Sequence, residues 1–141
     1  MDKNQNILII VVVALTIIGG IAYFLKTSAD AAEKVRDELN LIVEPMLVDI
    51  SSTWHPKTFY KYSSSELKSW LKENGWDEVN RYSQLGKMTK YYGIKDFNMW
   101  QDEADIAYFA DFENGKARVE LSLLKSENKW YIQNLEINPA N

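Results

Sequence analysis

The chain has 141 residues, with 16 lysines and arginines against 20 aspartates and glutamates, a net charge of −4, one histidine and no cysteine. That length holds one domain around one core, and the interspersed charges leave no basic stripe for a nucleic-acid backbone. Without cysteine there are no disulfide staples and no Cys-rich zinc sites, so packing must hold the fold, and an aromatic share of 13% makes that feasible.

After a short tail, residues 1–6, the stretch from Ile7 to Leu25 carries no charge and contains thirteen Ile, Leu, Val or Phe side chains. At about 1.5 Å of rise per residue it spans roughly 28 Å, close to the roughly 30 Å core of a bilayer, and it reads as a transmembrane anchor. A cleaved secretory signal is the rival reading, because Thr27, Ser28 and Ala29 resemble a processing site. A signal's apolar region runs only about 7 to 15 residues, which favours the uncleaved anchor. A buried core helix fits less well, since Ile7 to Val13 is apolar on every face. Lys3 precedes the run and Lys26, Lys34 and Arg36 follow it. That count alone favours a cytoplasmic domain, yet so short a tail most easily stays where it was made. The expectation is a single-pass inner-membrane protein whose bilayer partner is met through residues 7–25 and whose C-terminal domain is extracytoplasmic, on the periplasmic side.

Residues 26–29 form the expected hinge, and the domain follows over 30–141. From Asp30 the spacing of Ala32, Val35, Leu39, Ile42, Met46 and Ile50 predicts an amphipathic helix that Pro45 kinks or ends. Trp54-His55-Pro56 opens a short helix through Tyr60. Ser63-Ser64-Ser65-Glu66 has capping-box spacing before a helix with Leu67, Trp70 and Leu71 inward, which stops at Asn74-Gly75. Asp77 caps a further helix carrying Val79, Tyr82 and Leu85 that ends at Gly86.

The period then changes to two. Met88 to Tyr92 is a candidate strand, and Asp102 to Phe112 alternates with Ala104, Ile106, Tyr108, Ala110 and Phe112 on one face. Asn114-Gly115 predicts a type I′ hairpin, and the returning strand places Ala117, Val119, Leu121 and Leu123 together. A turn at Ser126-Glu127-Asn128 leads to a last strand in which Trp130 and Ile132 share one parity while Leu135 and Ile137 share the other. A bulge near Gln133 or Asn134 accounts for the change.

Helices first and an antiparallel meander second make an α+β pattern, with helices covering one face of a curved sheet. In this order Trp54, Tyr60 to Leu67, Tyr82 to Lys87, Phe112 to Ala117 and Lys129 to Ile132 resemble membrane-anchored or secreted bacterial domains of the NTF2-like (cystatin-like) superfamily. The resemblance covers nearly all of residues 30–138, and its motifs are mainly caps, turns and core positions. It implies a cone of helices against a curved sheet, often with a pocket and often dimeric through the sheet. One transmembrane helix before such a domain is also similar in layout to VirB8-type secretion components, in architecture only.

No metal, cofactor or catalytic set emerges. His55 stands alone, and a general base needs an orienting partner and a pocket. The resemblance to superfamily enzymes such as ketosteroid isomerase points to Asp105, Tyr108 and Asp111. Parity places Tyr108 on the apolar side and both carboxylates on the solvated one. Trp54, His55, Tyr60, Trp70, Tyr82, Tyr108 and Trp130 are the candidate pocket lining, although the aromatics among them read first as core. Phe109 and Leu124 break the polar parity of the outer sheet face and are the candidate interface for a protein partner or homodimer. Three function classes follow in order: a non-enzymatic envelope interaction or assembly module, a binder of small apolar ligands, and an enzyme using His55.

Overall fold

The computed structural model describes residues 29–140. Contacts divide the chain into two units, Met1–Asp37 and Glu38–Asn141. In the first, residues 29–37 are helical. The expected anchor at 7–25 and its tail lie outside the described residues, among which no helix is long and apolar enough to cross a membrane. Ala29, the last residue of the expected hinge, is already helical.

The second unit is α+β. Helix α1 (residues 29–53, of which 38–53 belong here) is followed by α2 (Pro56–Tyr62), α3 (Ser65–Asn74), α4 (Asp77–Tyr82) and a 3-10 turn, Ser83–Leu85. Strands β1 (Met88–Trp100), β2 (Glu103–Phe112), β3 (Gly115–Ser126) and β4 (Lys129–Pro139) then form an antiparallel meander in the order β1-β2-β3-β4.

The greasy stripe of α1 buries Leu39, Val43, Met46, Leu47 and Ile50. The helix does not end at Pro45. Proline withholds its N–H from the carbonyl four residues back, that of Leu41, and both Leu41 and Pro45 are exposed, so water can take the freed carbonyl. Helix α1 stops at Trp54, whose φ of 49° is the left-handed conformation that breaks a helix. The indole holds it there: Nε1 donates to the Gly86 carbonyl at 3.0 Å, and the ring meets Tyr82 and Phe112 at centroid distances of 6.5 Å each.

Two start signals are displaced by one residue. Ser64, not Ser63, caps α3, its hydroxyl accepting from the Leu67 N–H at 3.2 Å, while the Ser63 hydroxyl donates to the Phe59 carbonyl at 2.8 Å. Trp76 precedes α4, with Asp77 as its first residue and no side-chain cap.

The alternating stripes of β2 and β3 are buried as expected. The hairpin between them turns on Glu113-Asn114, since Phe112 pairs with Gly115, and neither turn residue has positive φ. This corrects the expected I′ turn at Asn114-Gly115. The physical reason is tertiary: Glu113 and Asn114 donate their N–H groups to Lys87 and Leu85, tying the turn to the end of the helical layer. The two positive φ angles of a I′ turn occur instead at Glu127 (51°) and Asn128 (64°), between β3 and β4.

Both edge strands bulge. Strand β1 spends 13 residues against the 10 of β2, with register shifts at three places. In β4 the register shifts once: Ser122 pairs with Asn134 and Leu123 with Ile132, leaving Gln133 as the extra residue. That bulge puts Trp130, Ile132, Leu135 and Ile137 all on the buried side.

Candidate functional site

The strongest candidate is a cavity of about 620 Å³ between the short helices and the bulge of β4. Helix α3 presents Leu67, Trp70, Leu71 and Asn74 to it, at the three- and four-residue spacings that share one helical face. Its end is fixed by Gly75 at φ 88°, whose N–H donates to the Leu71 carbonyl at 2.9 Å. A side chain would fit the open space there but not that backbone conformation. Phe59 of α2 and Val79 and Tyr82 of α4 add apolar wall, and Leu135 closes the sheet side.

Polar groups rim the apolar floor. Glu66 and Asp77 bring two carboxylates, and Asn74, Gln133 and Asn134 bring amides. The Asn74 amide nitrogen is engaged, donating to the Trp70 carbonyl at 3.0 Å. Gln133 and Asn134 stand on the bulge, and their side chains make no hydrogen bond within the described residues. An apolar hollow with a few uncommitted polar groups is the usual form of a small-molecule site. Gln133 and Asn134 entered the sequence argument only as the break in strand parity; the same break is the signal that could have marked them as site residues, because bulges re-aim side chains.

Of the seven candidate lining residues, the structure brings two to this cavity: Tyr82, and Trp70, which is 53% exposed rather than packed inward. Trp54 belongs to the core. Tyr60 meets Trp76 edge-on at 4.8 Å, with Lys68 and Lys72 each 5.5 Å from its ring. Tyr108 is fully buried and meets Tyr91 edge-on at 5.0 Å. Its hydroxyl has no hydrogen-bond partner among the described residues, and burial first, then Tyr91, hold its pKa well above the usual 10. Trp130 is also in the core, its Nε1 without a hydrogen-bond partner among the described residues and Lys125 over its ring at 5.6 Å.

His55 is exposed and lies outside the cavity. Its Nδ1 accepts from the Lys57 N–H at 3.1 Å, making it the N-cap of α2. Among the described residues, no group of three or more His, Asp or Glu side chains is placed to hold a metal ion.

On the outer sheet face Phe109 and Leu124 are half-buried. Lys95, Lys116 and Arg118 lie 5.0, 5.7 and 5.9 Å from the Phe109 ring, so cations cover much of its surface. Beside it Tyr92 donates to Asp111 at 2.6 Å, a bond that raises the phenol's pKa above its usual value. Among the described residues the most exposed large apolar side chains are Leu41 on α1 and Trp100 at the β1–β2 turn, at 79% and 73%.

No family model matches the chain, and no curated protein matches it. Among solved structures it is similar to a DUF4783 family protein from Bacteroides uniformis (12% identity, TM-score 0.48, 69% of this chain and 96% of that one). It is also similar to an Rd1NTF2_05 variant (10%, 0.49, 79% and 99%). A third similar structure is a candidate NTF2-like transpeptidase from Campylobacter jejuni (14%, 0.42, 70% and 95%). At these identities and scores the likenesses assign no activity to the chain.

Proposed function

We propose that the domain is an NTF2-like binding module whose cavity takes a small, largely apolar ligand carrying a hydrogen-bonding head, and that residues 7–25 hold it at a bilayer. The observation that carries this reading is the 620 Å³ hollow, floored by Phe59, Leu71, Val79 and Leu135 and edged by the uncommitted amides of Gln133 and Asn134. Burial of an apolar ligand supplies affinity at about 25 cal/mol per Å², and the amides fix its orientation. Glu66 and Asp77 disfavour an anionic head and favour a neutral or cationic one. The only histidine is spent as the cap of α2, so binding, rather than acid–base chemistry at His55, fits the geometry.

The test uses N-phenyl-1-naphthylamine, a neutral apolar fluorophore, with the full-length chain. Saturable binding at one site is expected, weakened about tenfold or more by Trp70→Ala, the loss of about 1.4 kcal/mol. Because Trp70 is half exposed, that substitution should shift stability by no more than about 0.5 kcal/mol. Unchanged probe affinity in Trp70→Ala, or failure to saturate, sinks the reading.

A further inference from the structure

A second groove, of about 730 Å³, runs beside the first and has a different construction. One wall is six consecutive residues of β4, Asn134 to Pro139; the other is Arg81 and Tyr82 of α4, Gln84 and Leu85 of the 3-10 turn, and Asn114. Strand β4 is an edge, with only β3 beside it. Just past its end, the Ala140 N–H donates to the Lys116 carbonyl of β3 at 2.8 Å. In an antiparallel ladder, successive residues point their N–H and C=O to opposite sides, so Asn138 and Glu136 also face β3. Leu135 and Ile137 therefore aim their donors and acceptors away from β3, into the groove. No hydrogen bond within the described residues uses them there, although both residues are nearly buried, at 7% and 5% exposure.

Upstream of the bulge the same edge is already occupied by this chain itself. Ser63 forms a parallel bridge with Ile132, and the Ser64 N–H donates to the Ile132 carbonyl at 2.8 Å. An extended segment thus pairs with this edge as far as Ile132, and beyond it the edge is open. Arg81, on the facing wall, has no carboxylate within ion-pair distance among the described residues; its guanidinium lies 6.0 Å from the Tyr82 ring.

We propose that this groove binds an extended peptide bearing an acidic side chain, added as a fifth strand beside β4 with its carboxylate against Arg81. Main-chain bonds to Leu135 and Ile137 supply the pairing, as in other strand-addition complexes. From Leu135 to Pro139 the edge runs about 13 Å, room for four or five peptide residues, and Pro139, which has no N–H, ends it. The wall of α4 and the 3-10 turn favours a single strand over a second copy of the domain, whose own β4 would bring the same wall with it.

The experiment uses the full-length chain and a fluorescein-labelled peptide of alternating threonine and valine ending in glutamate. Its control is the same peptide with the amides of one edge N-methylated. Saturable anisotropy is expected for the first and at least about tenfold weaker binding for the second, since methylation removes the donors that strand addition needs. Hydrogen exchange should slow at the Leu135 and Ile137 amides, the two that face away from β3. Arg81→Glu should weaken the glutamate peptide several-fold and leave a glutamine-ended one unchanged. Trp70→Ala, which tests the neighbouring cavity, should alter none of these. Equal binding of the methylated peptide, no binding of either, or protection elsewhere overturns the proposal. So does a concentration-dependent dimer that protects the Leu135 and Ile137 amides without peptide, which would give the edge to a second copy.

Discussion

The two edges of the sheet use the same device to opposite ends. Both β1 and β4 carry bulges, and a bulge leaves backbone groups off the ladder. At β1 helix α1 takes them up. The Asn40 Oδ1 accepts from the Ile94 N–H at 2.9 Å and from the Tyr91 hydroxyl at 2.7 Å, within the region where the register shifts. The Ser51 hydroxyl accepts from the Met88 N–H at 2.9 Å where the strand begins. At β4 no such helix intervenes between Gln133 and Pro139, and the bulge instead opens on a cavity and a groove. A bulge is structural where a neighbour bonds it and becomes a candidate site where nothing does.

The largest effect that can break this comparison is deletion of Gln133. Removing the extra residue restores an unbroken ladder and turns Leu135 and Ile137 to the outer face. Loss of two buried aliphatic side chains should cost about 3 to 6 kcal/mol, read as a collapse of the cooperative thermal transition. A variant that melts within about 1 kcal/mol of the parent would mean that the bulge does not set the parity of β4.

Next in size is Asn40→Ala, which should cost about 2 kcal/mol because it strips the acceptor from a part-buried backbone N–H and a tyrosine hydroxyl at once. Exchange of the Ile94 amide should rise more than the global loss of stability accounts for. The β4 edge offers the contrast: Asn134→Ala removes a side-chain amide with no partner among the described residues, and its stability effect should stay within about 0.5 kcal/mol. Equal losses at Asn40 and Asn134 would erase the distinction between a bonded bulge and an open one.

The difference between the edges also explains what could be read from the sequence. The stripes of β2 and β3 are period-two patterns that any buried sheet face imposes, so Ala104 to Phe112 and Ala117 to Leu123 were legible residue by residue. So was the bulge of β4, because it reverses the apolar parity between Ile132 and Leu135. The irregularities of β1 were not: the strand was visible only as far as Tyr92, and its backbone is completed by Asn40 and Ser51, 54 and 37 positions away in sequence from the groups they bond. Hairpin and helix starts slipped by one residue because other hydrogen bonds outweigh the local turn and cap preferences: Glu113 and Asn114 are tied to Lys87 and Leu85, distant in sequence, while the Ser63 hydroxyl is taken by the Phe59 carbonyl of the preceding helix, four residues back. The cavity was half legible. Its aromatics were named as a class, but Trp70 on α3 and Tyr82 on α4 reach it while Trp54 at the end of α1, Tyr108 on β2 and Trp130 on β4 pack elsewhere, a choice made by the element that carries each residue rather than by residue type.

The smallest effect concerns the tether that joins the edges through α1. The same helix that bonds β1 also holds the end of α2: the Tyr62 hydroxyl donates to Asp49 at 2.5 Å, and the Lys61 ammonium lies 3.5 Å from the same carboxylate. Immediately after Tyr62 come Ser63 and Ser64, the segment that pairs with Ile132 on β4. The hydrogen bond from Tyr62, and after it the Lys61 charge, hold the Asp49 carboxyl below its ordinary pKa of 3.8, with desolvation opposing them. A folded pKa below the unfolded one means that this stabilisation is complete above about pH 3.8 and drains away as pH falls through that value and the lower folded one. Denaturation at pH 5 and pH 3 should therefore show a slightly smaller acid loss in Asp49→Asn than in the parent. Exchange of the Ser64 amide should speed up at pH 3 in the parent only, beyond the intrinsic pH dependence that both share. The effect is small because the pair is open to solvent. Identical pH profiles for Ser64 in the two proteins would show that the α1–α2 tether does not steady the covered end of the β4 edge.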